Sequence, residues 1–271
     1  MVSFTALFTS GLLATSAFAA PFTHVKRDNT TSSSKRGAAY NDINTVSPLT
    51  TDGTISWAYN WGMWSFGDLP SNVEYVPMLW GSQYFTGWVA AIETALSGGS
   101  DYILGFNEPD MPSQADMTPA DAASYYTQYI TPYSGQAKLI SPSVTSSTES
   151  GAGLSWMTEF LGDCSSCGLT GLAVHWYGTT AEEFESFITQ AITTAQEYSL
   201  TEVWITEFAL NADVNGVADA STTAAFLDTV QPWLDSQSMV TRYSYFMCAE
   251  NYLLTDNALN AVGDAYVSSS N

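Results

Sequence analysis

Positively charged residues are scarce in this 271-residue chain, which has six Lys and Arg against 27 Asp and Glu. Four of the six form two pairs near the amino terminus, Lys26-Arg27 and Lys35-Arg36, and only Lys138 and Arg242 lie beyond them. Nucleic acids and anionic membrane surfaces are recognised by clustered Lys and Arg. The composition therefore excludes both as partners. With 14% aromatic residues, it favours a neutral, hydroxyl-rich ligand that stacks on flat side chains.

Cysteine and histidine are also few, with three of the former and two of the latter. A structural zinc site needs four ligands, and the chain has no second Cys pair or His cluster to complete one. The pair Cys164-Ser-Ser-Cys167 could be a metal half-site, a redox pair or a short disulfide, and secretion favours the disulfide. We expect Cys248 to be a buried free thiol. No nucleotide-binding motif is present either, so we expect no cofactor.

Only one long apolar run is present, at the amino terminus. Its small-x-small pattern at Ala17–Ala19 predicts a signal peptide over residues 1–19. A transmembrane anchor is the competing interpretation, but the run is short and contains Ser and Thr. No second run of about 18 apolar residues follows. The sequence therefore predicts a secreted protein, extracellular or in the cell wall.

The segment over residues 20–36 is polar and rich in Ser and Thr, and it ends in the dibasic pair Lys35-Arg36. Dibasic pairs are the usual cut sites of secretory processing proteases, so we predict a pro-segment over 20–36 and a mature domain over 37–271. Of the 27 acidic residues only Asp28 precedes Gly37, so 26 remain against two basic residues, a net charge of about −24.

Short apolar runs alternate with segments of helical spacing from Gly37 onward. Eight strand candidates in a single domain of this length predict an α/β fold, the (β/α)8 TIM barrel. A doubly wound open sheet is the alternative, but it usually carries a Gly-rich loop after an early strand. The chain has the aromatic stretch ISWAYNWGMWSF there instead. We favour the barrel and expect a monomer.

Polar and aromatic residues stand where these strands end, which is where a barrel builds its active site. They are Asn60, Trp61, Trp80, Asn107, Glu108, His175, Trp176, Tyr177, Glu207 and Glu250. Cleavage of a glycosidic bond requires a carboxylic acid and a carboxylate, together with amides and aromatic faces that hold the sugar. Glu108 and Glu207 are therefore the catalytic candidates and the others are candidates for binding substrate.

Three of these residues have alternative interpretations. Glu108 could lie in a surface turn, but Pro109 disfavours the helical region for it and predicts an extended residue pointing into the site. His175 could be a buried core residue. Glu250 could cap the last helix.

Four motifs, SWAYNW, GFNEPD, AVHWYG and WITEF, resemble those of the fungal glycoside hydrolase family 128 in order and spacing. This family lies in the clan of retaining (β/α)8 glycoside hydrolases. The resemblance runs from about Gly37 to the end. It implies that Glu108 is the acid/base, Glu207 the nucleophile, Asn107 a ligand of the sugar 2-hydroxyl and Tyr177 the residue that orients Glu207. Strand eight departs from the wider clan, because it reads YSYFM where many members have a Trp platform.

The resemblance implies a secreted β-1,3-glucan hydrolase with a β-glucan polysaccharide or oligosaccharide as partner. A catalytically weak glucan-binding protein of the cell wall is an alternative that keeps the groove for recognition. A hydrolase of another β-glycan, such as mannan or β-1,4-glucan, is a second alternative, because the carboxylate pair does not encode the linkage.

Overall fold

The computed structural model describes residues 34–214 and 219–268. The predicted signal peptide and all of the predicted pro-segment before Ser34 lie outside the described residues. Lys35 and Arg36, which the sequence places in the pro-segment, are bonded into the folded domain.

Within the described residues, eight parallel strands form two sheets, each in chain order. The first contains β1 (Gly37–Ala39), β2 (Trp57–Tyr59) and β3 (Glu74–Tyr75). The second contains β4 (Tyr102–Leu104), β5 (Lys138–Val144), β6 (Leu169–Gly178), β7 (Glu202–Leu210) and β8 (Val240–Tyr245). Isolated parallel bridges join Met78 to Leu104 and Arg36 to Tyr243, so β4 and β8 each meet the smaller sheet. The predicted α/β class with a parallel sheet is confirmed.

Helices follow β3 and each strand of the larger sheet from β4 to β7. They are α1 (Trp88–Ser97), α2 (Pro119–Tyr129), α3 (Gly153–Asp163), α4 (Ala181–Glu197), the short α5 (Asn211–Val214) and α6 (Ala220–Ser236). A hairpin of β9 (Leu254–Thr255) and β10 (Ala258–Leu259) leads into α7 (Ala261–Val267). The described connection from β2 to β3 contains no helix. None of the helices in the described ranges is long and apolar enough to cross a membrane.

Local sequence accounts for where the helices begin. The hydroxyl oxygen of Thr118 accepts the backbone N–H of Asp121 at the start of α2, and Thr180 does the same for Glu183 in α4. These hydroxyls satisfy amides that have no partner inside the helix. All nine residues of β7 are buried, as expected for a central strand covered on both faces.

The Lys and Arg residues that the structure describes all lie toward the amino ends of the strands. Arg242 pairs with Glu74 at 2.5 Å, and its guanidinium lies 4.2 Å from the ring centre of Tyr102. Lys138 pairs with the buried Glu202 at 3.5 Å. Lys35 and Arg36 precede β1. Among the described residues, the carboxyl ends of the strands therefore carry no Lys or Arg.

The cysteines behave as the sequence predicts. Cys164 and Cys167 form a disulfide between α3 and β6, with their Cα atoms 5.1 Å apart. Cys248 is a buried free thiol whose S–H donates to the Thr45 carbonyl oxygen at 2.9 Å. Burial raises the pKa of the Cys248 thiol to about 12, so it stays protonated and unreactive.

Replacing both Cys164 and Cys167 with Ser should lower the free energy of unfolding by about 2 kcal/mol, because the disulfide closes only a short loop. The disulfide lies before the amino end of β6, away from the residues that follow the strands. We therefore expect a lower melting temperature in calorimetry and unchanged catalytic rates. Cys248→Ala, which leaves the disulfide intact, is the matched control. Loss of activity in the double variant below its melting transition would contradict this assignment.

Candidate active site

Glu108 lies just beyond β4, where the chain reverses direction. Its φ is +41°, in the left-handed region, so the extended conformation predicted from Pro109 is wrong. Two hydrogen bonds hold the reversal: Glu108 N–H donates to Ser143 O at 2.8 Å, and Met111 N–H donates to Glu108 O at 3.0 Å. A non-glycine residue in this region costs about 1–3 kcal/mol, which these contacts offset. The strain therefore coincides with a candidate catalytic residue.

The carboxylate of Asp110 fixes the loop that carries Glu108. It accepts the hydroxyl of Thr145 at 2.6 Å and the backbone N–H of Gly153 at 2.8 Å. These partners lie after β5 and at the start of α3. Asp110 therefore joins the Glu108 loop to the next connection of the sheet, so the position of Glu108 depends on both.

Glu207 lies in β7 with both carboxylate oxygens bonded. Oε1 accepts the indole N–H of Trp61 at 2.6 Å, and Oε2 accepts the hydroxyl of Tyr177. Trp61 follows β2 and Tyr177 lies in β6, so donors from both sheets converge on one carboxylate. Only 7% of the Glu207 side chain is exposed. These donors favour the ionised form and fix its orientation.

His175 lies between the two glutamates. Its Nδ1 is 2.8 Å from Glu108 Oε1 and 3.4 Å from Glu207 Oε2. The ring is fully buried, because His175 stands opposite Glu207 in the register of β6 and β7. A buried imidazole has no surface to offer a sugar. The predicted role in substrate binding is therefore less well supported than a role in positioning the carboxylates.

Glu108, His175 and Glu207 bring their ligand atoms within 4.8 Å of one another. A carboxylate–imidazole–carboxylate set of this size could hold a divalent cation. However, both oxygens of Glu207 already accept hydrogen bonds from Trp61 and Tyr177. The His175 ring also bonds Glu108 through Nδ1. This network favours proton chemistry over metal ligation.

The pKa values follow from burial and from the three close charges. Burial raises the pKa of Glu207, and the charge of His175 and the hydrogen bonds from Tyr177 and Trp61 offset this only in part. Burial alone would lower the pKa of His175, but the negative charges of Glu207 and Glu108 outweigh it and raise the pKa above its ordinary value. The imidazole therefore tends to stay protonated between the carboxylates.

Two aromatic candidates lie in different surroundings. Trp176 points away from the carboxylates, because neighbouring residues of a strand face opposite sides. Its ring packs 5.1 Å from Phe184 and 5.8 Å from Phe226, measured between ring centres, under α4 and α6. Trp80 is partly exposed and contacts Tyr84 edge-on at 6.2 Å. Trp176 is only 3% exposed, and its role in binding substrate stays a prediction.

Asn60 and Glu250 serve the loops that carry them. The Asn60 amide donates to Trp64 O at 2.8 Å, and its oxygen accepts the hydroxyl of Tyr75 at 2.9 Å. The Glu250 oxygens accept the backbone N–H groups of Asp256 and Asn257 at the β9–β10 turn. Both side chains have partners that account for them without a substrate. Glu250 caps a hairpin rather than the last helix.

Asn107 keeps a free acceptor beside the carboxylates. Its amide N–H donates to Gln114 Oε1 at 3.2 Å, while the buried Oδ1 has no partner among the described residues. A buried acceptor without a donor is costly. The buried Oδ1 has no exposed surface that a sugar could reach here, so the role as a ligand of the sugar 2-hydroxyl that the family resemblance implies stays a prediction.

Phe246 is an aromatic neighbour that the sequence did not single out. It follows β8, and its ring centre lies 5.9 Å from that of Trp61 and 5.7 Å from that of Tyr177. The run YSYFM offers three aromatic residues, and periodicity alone does not say which faces the carboxylates.

The raised pKa values of Glu207 and His175 predict that stability falls as pH rises. Each group binds its proton more tightly in the folded state, so its contribution is complete below its unfolded pKa, about 4.5 or 6.5. That contribution is lost as pH passes the folded pKa, with a slope of at most about 1.4 kcal/mol per pH unit for each proton. Denaturant unfolding between pH 5 and 8 should show a shallower pH dependence for Glu207→Gln than for the wild type.

Glu159→Gln is the matched control for this experiment, because it removes one carboxylate from the exposed face of α3. Its slope should equal that of the wild type. Equal slopes for the two variants would show that Glu207 does not carry the effect.

Comparison with known proteins agrees with this geometry. Residues 37–266 match the family described as Glycosyl hydrolase catalytic core. The chain is 32% identical over 254 residues to Alkali-sensitive linkage protein 1 of Schizosaccharomyces pombe. The match covers 87% of this chain but 45% of the relative, so the chain spans less than half the length of that protein.

Solved structures of family 128 superpose on the chain. A curdlan-specific exo-β-1,3-glucanase of subgroup III from Blastomyces gilchristii is 40% identical, with a TM-score of 0.81 over 88% of this chain and 99% of its own. An endo-β-1,3-glucanase of subgroup IV from Lentinula edodes is 27% identical, with a TM-score of 0.70 over 87% of this chain and 100% of its own. The chain therefore belongs to the glycosyl hydrolase catalytic-core family and is a glycoside hydrolase of family 128.

Proposed function

We propose that this protein is a secreted, retaining β-1,3-glucan hydrolase with Glu207 as nucleophile and Glu108 as acid/base. The observation that carries the proposal is that an oxygen of each carboxylate lies within 4.8 Å of the other. Retaining enzymes hold their carboxyl groups about 5–5.5 Å apart, whereas inverting enzymes leave about 6.5–9.5 Å for a water molecule. The close approach of the two carboxylates supports a double displacement over direct attack by water.

The surroundings of the two glutamates assign their roles. Glu207 is the more buried and accepts hydrogen bonds from two neutral donors, Trp61 and Tyr177, which suits a fixed, ionised nucleophile. Glu108 is more exposed, at 13% of its side chain, and has His175 as its side-chain partner. A residue that must exchange a proton with the substrate and with solvent fits this position.

The reaction then runs as a double displacement. Glu108 gives its proton to the glycosidic oxygen as Glu207 attacks the anomeric carbon, and the bonding electrons leave with that oxygen. Glu108, now ionised, takes a proton from water, and the resulting hydroxyl attacks the anomeric carbon and releases Glu207. Protonated His175 lies beside both carboxylates, where it stabilises the negative charge on whichever of them is ionised.

The leaving sugar should lie toward the loop after β5. Asp110 ties the Glu108 loop to Thr145 in that region, and Glu108 must face the leaving oxygen. A cavity of about 710 Å³ opens there, bounded by the loop after β5, by Trp176–Gly178 at the end of β6 and by the first turns of α4. Its wall carries hydroxyl groups, which suit a carbohydrate. The β-1,3 linkage is supported by the relative described as a curdlan-specific exo-β-1,3-glucanase.

We further propose that the two parallel sheets form a closed (β/α)8 barrel. The bridges from Met78 to Leu104, from Arg36 to Tyr243 and from Tyr40 to Cys248 support closure at both seams. Secretion is supported by the signal-peptide pattern and by the disulfide between Cys164 and Cys167.

Azide rescue tests the two roles separately. Glu207→Ala should abolish hydrolysis of β-1,3-glucan, and azide entering the vacated space should give a glycosyl azide of inverted configuration. Glu108→Ala should keep activity only toward activated aryl β-glucosides, whose leaving group needs no proton, and azide should then give the retained product. Product stereochemistry by nuclear magnetic resonance is the measurement.

Glu250→Ala is the control, because it removes the third predicted carboxylate without touching the pair. It should keep near-normal rates. If Glu207→Ala gave the retained azide product and Glu108→Ala the inverted one, the roles of the two glutamates would be reversed. If neither variant lost activity on β-1,3-glucan, the catalytic centre would lie elsewhere and the glucan-binding alternative would gain support.

A further inference from the structure

The backbone of Lys35 and Arg36 is hydrogen-bonded to neighbouring segments on both sides. The carbonyl oxygen of Lys35 accepts the N–H of Tyr243 at 2.8 Å and the indole N–H of Trp57 at 3.0 Å. The carbonyl oxygen of Arg36 accepts the N–H of Ser56 at 3.1 Å. These bonds join the segment to β8 on one side and to the approach of β2 on the other. The dibasic pair therefore extends β1 rather than preceding the fold.

The Arg36 side chain is buried, with 4% of the residue exposed. Its Nε–H donates to the hydroxyl of Tyr243 at 2.9 Å, and Nη1 donates to the carbonyl oxygens of Tyr266 at 3.2 Å and Ser268 at 2.5 Å. Nη2 lies 3.5 Å from Asp235 Oδ2. One guanidinium thus joins the last strand, the end of α6 and the end of α7.

The Lys35 side chain caps the carboxyl end of α6. Its ammonium group donates to the backbone oxygens of Leu234 at 3.0 Å, Asp235 at 2.9 Å and Gln237 at 2.9 Å. Carbonyls at a helix carboxyl end have no partner within the helix and favour a positive charge. All three ammonium protons can be used at once. Lys35 is therefore a structural residue of the domain.

A processing protease that reads a dibasic pair must hold both side chains in its own pockets and the flanking backbone in extended form. Here the folded domain binds both side chains, and it also donates hydrogen bonds to the backbone carbonyl oxygens of Lys35 and Arg36. We propose that folding closes this pair to processing proteases and that Lys35 and Arg36 remain part of the mature enzyme. The mature chain then begins at or before Lys35, and not at Gly37 as the sequence predicts.

Loss of the pair would leave several groups without partners. The hydroxyl of Tyr243 would lose its donor, and the carbonyls at the ends of α6 and α7 would lose their cations. Unpaired buried polar groups destabilise a fold by roughly 1–3 kcal/mol each. A chain cut after Arg36 should thus be less stable, whatever reaction it catalyses. The inference is independent of the proposed function.

Limited proteolysis of the full secreted chain with a dibasic-specific processing endoprotease tests the proposal. Lys26-Arg27 is the same dipeptide in the same chain and serves as the internal control. Amino-terminal sequencing and intact mass should show that the bond after Arg36 survives in the folded protein and is cut after denaturation. A secreted protein that begins at Gly37, or cleavage after Arg36 in the folded chain as fast as after Arg27, would overturn the proposal.

Two variants test whether the contacts of Arg36, rather than overall stability, protect the bond after Arg36. Asp235→Asn weakens the hold on Arg36 without altering the dibasic sequence, and it should speed cleavage after Arg36 several-fold. Tyr245→Phe removes a hydroxyl from the same strand as Tyr243 but leaves Arg36 untouched, and should have no such effect. Equal acceleration in both variants would show that the Arg36 contacts do not protect the bond.

Discussion

One imidazole between two carboxylates organises the active end of this protein. His175 is the only basic side chain described at the carboxyl ends of the strands, and it contacts both Glu108 and Glu207. In a chain with so few positive charges, nothing else there balances the pair. The close approach that a retaining mechanism needs is repulsive when both carboxylates are ionised. The imidazole relieves that repulsion when it is protonated, and the two carboxylates favour its protonated form.

The residues that stabilise the fold and the residues of the candidate active site lie at opposite ends of the strands. Lys35, Arg36, Lys138 and Arg242 form their ion pairs and caps at the amino ends. Lys138 and Arg242 join strands to one another, and Lys35 and Arg36 join the first strand to α6. The opposite ends are free to carry acid groups and aromatic rings. Arg36 and Arg242 link the first strands to the last one. The donors Trp61, after β2, and Tyr177, in β6, are therefore held in fixed positions around Glu207. The same linked strands set the distance between Glu207 and Glu108.

Much of this could be predicted from the sequence. Alternation of apolar strands with amphipathic helices indicates the α/β class, because burial on both faces leaves a continuous apolar run in each strand. Glu108 and Glu207 stand out because carboxylates at strand ends are rare without a function. The spacing of AVHWYG places His175 and Tyr177 on one face of β6. The same alternation could have placed Trp176 on the other face, under the helices.

Other features depend on contacts that no local pattern contains. The left-handed backbone of Glu108 comes from its bond to Ser143, 35 positions along the chain, which outweighs the preference set by Pro109. Lys35-Arg36 has the sequence of a cleavage signal, but its partners at Asp235, Tyr243 and Tyr266 lie some 200 residues away. Asn60 and Glu250 look like site residues until the hydrogen bonds of their own loops are known. Sequence motifs encode neither the distant contacts nor the loop geometry that decides such cases.

The central claim is that Glu207 forms a covalent bond to the sugar while Glu108 acts as general acid and then as general base. A laminaribiosyl fluoride with fluorine at C2 of the reacting sugar tests it most directly. Fluorine there destabilises the positive charge in both transition states, while the fluoride leaving group needs no acid, so the intermediate accumulates. Peptide mapping by mass spectrometry should then find the glycosyl adduct on Glu207, in the peptide containing WITEF. An adduct on Glu108, or turnover to an anomerically inverted product with no adduct, would contradict the account.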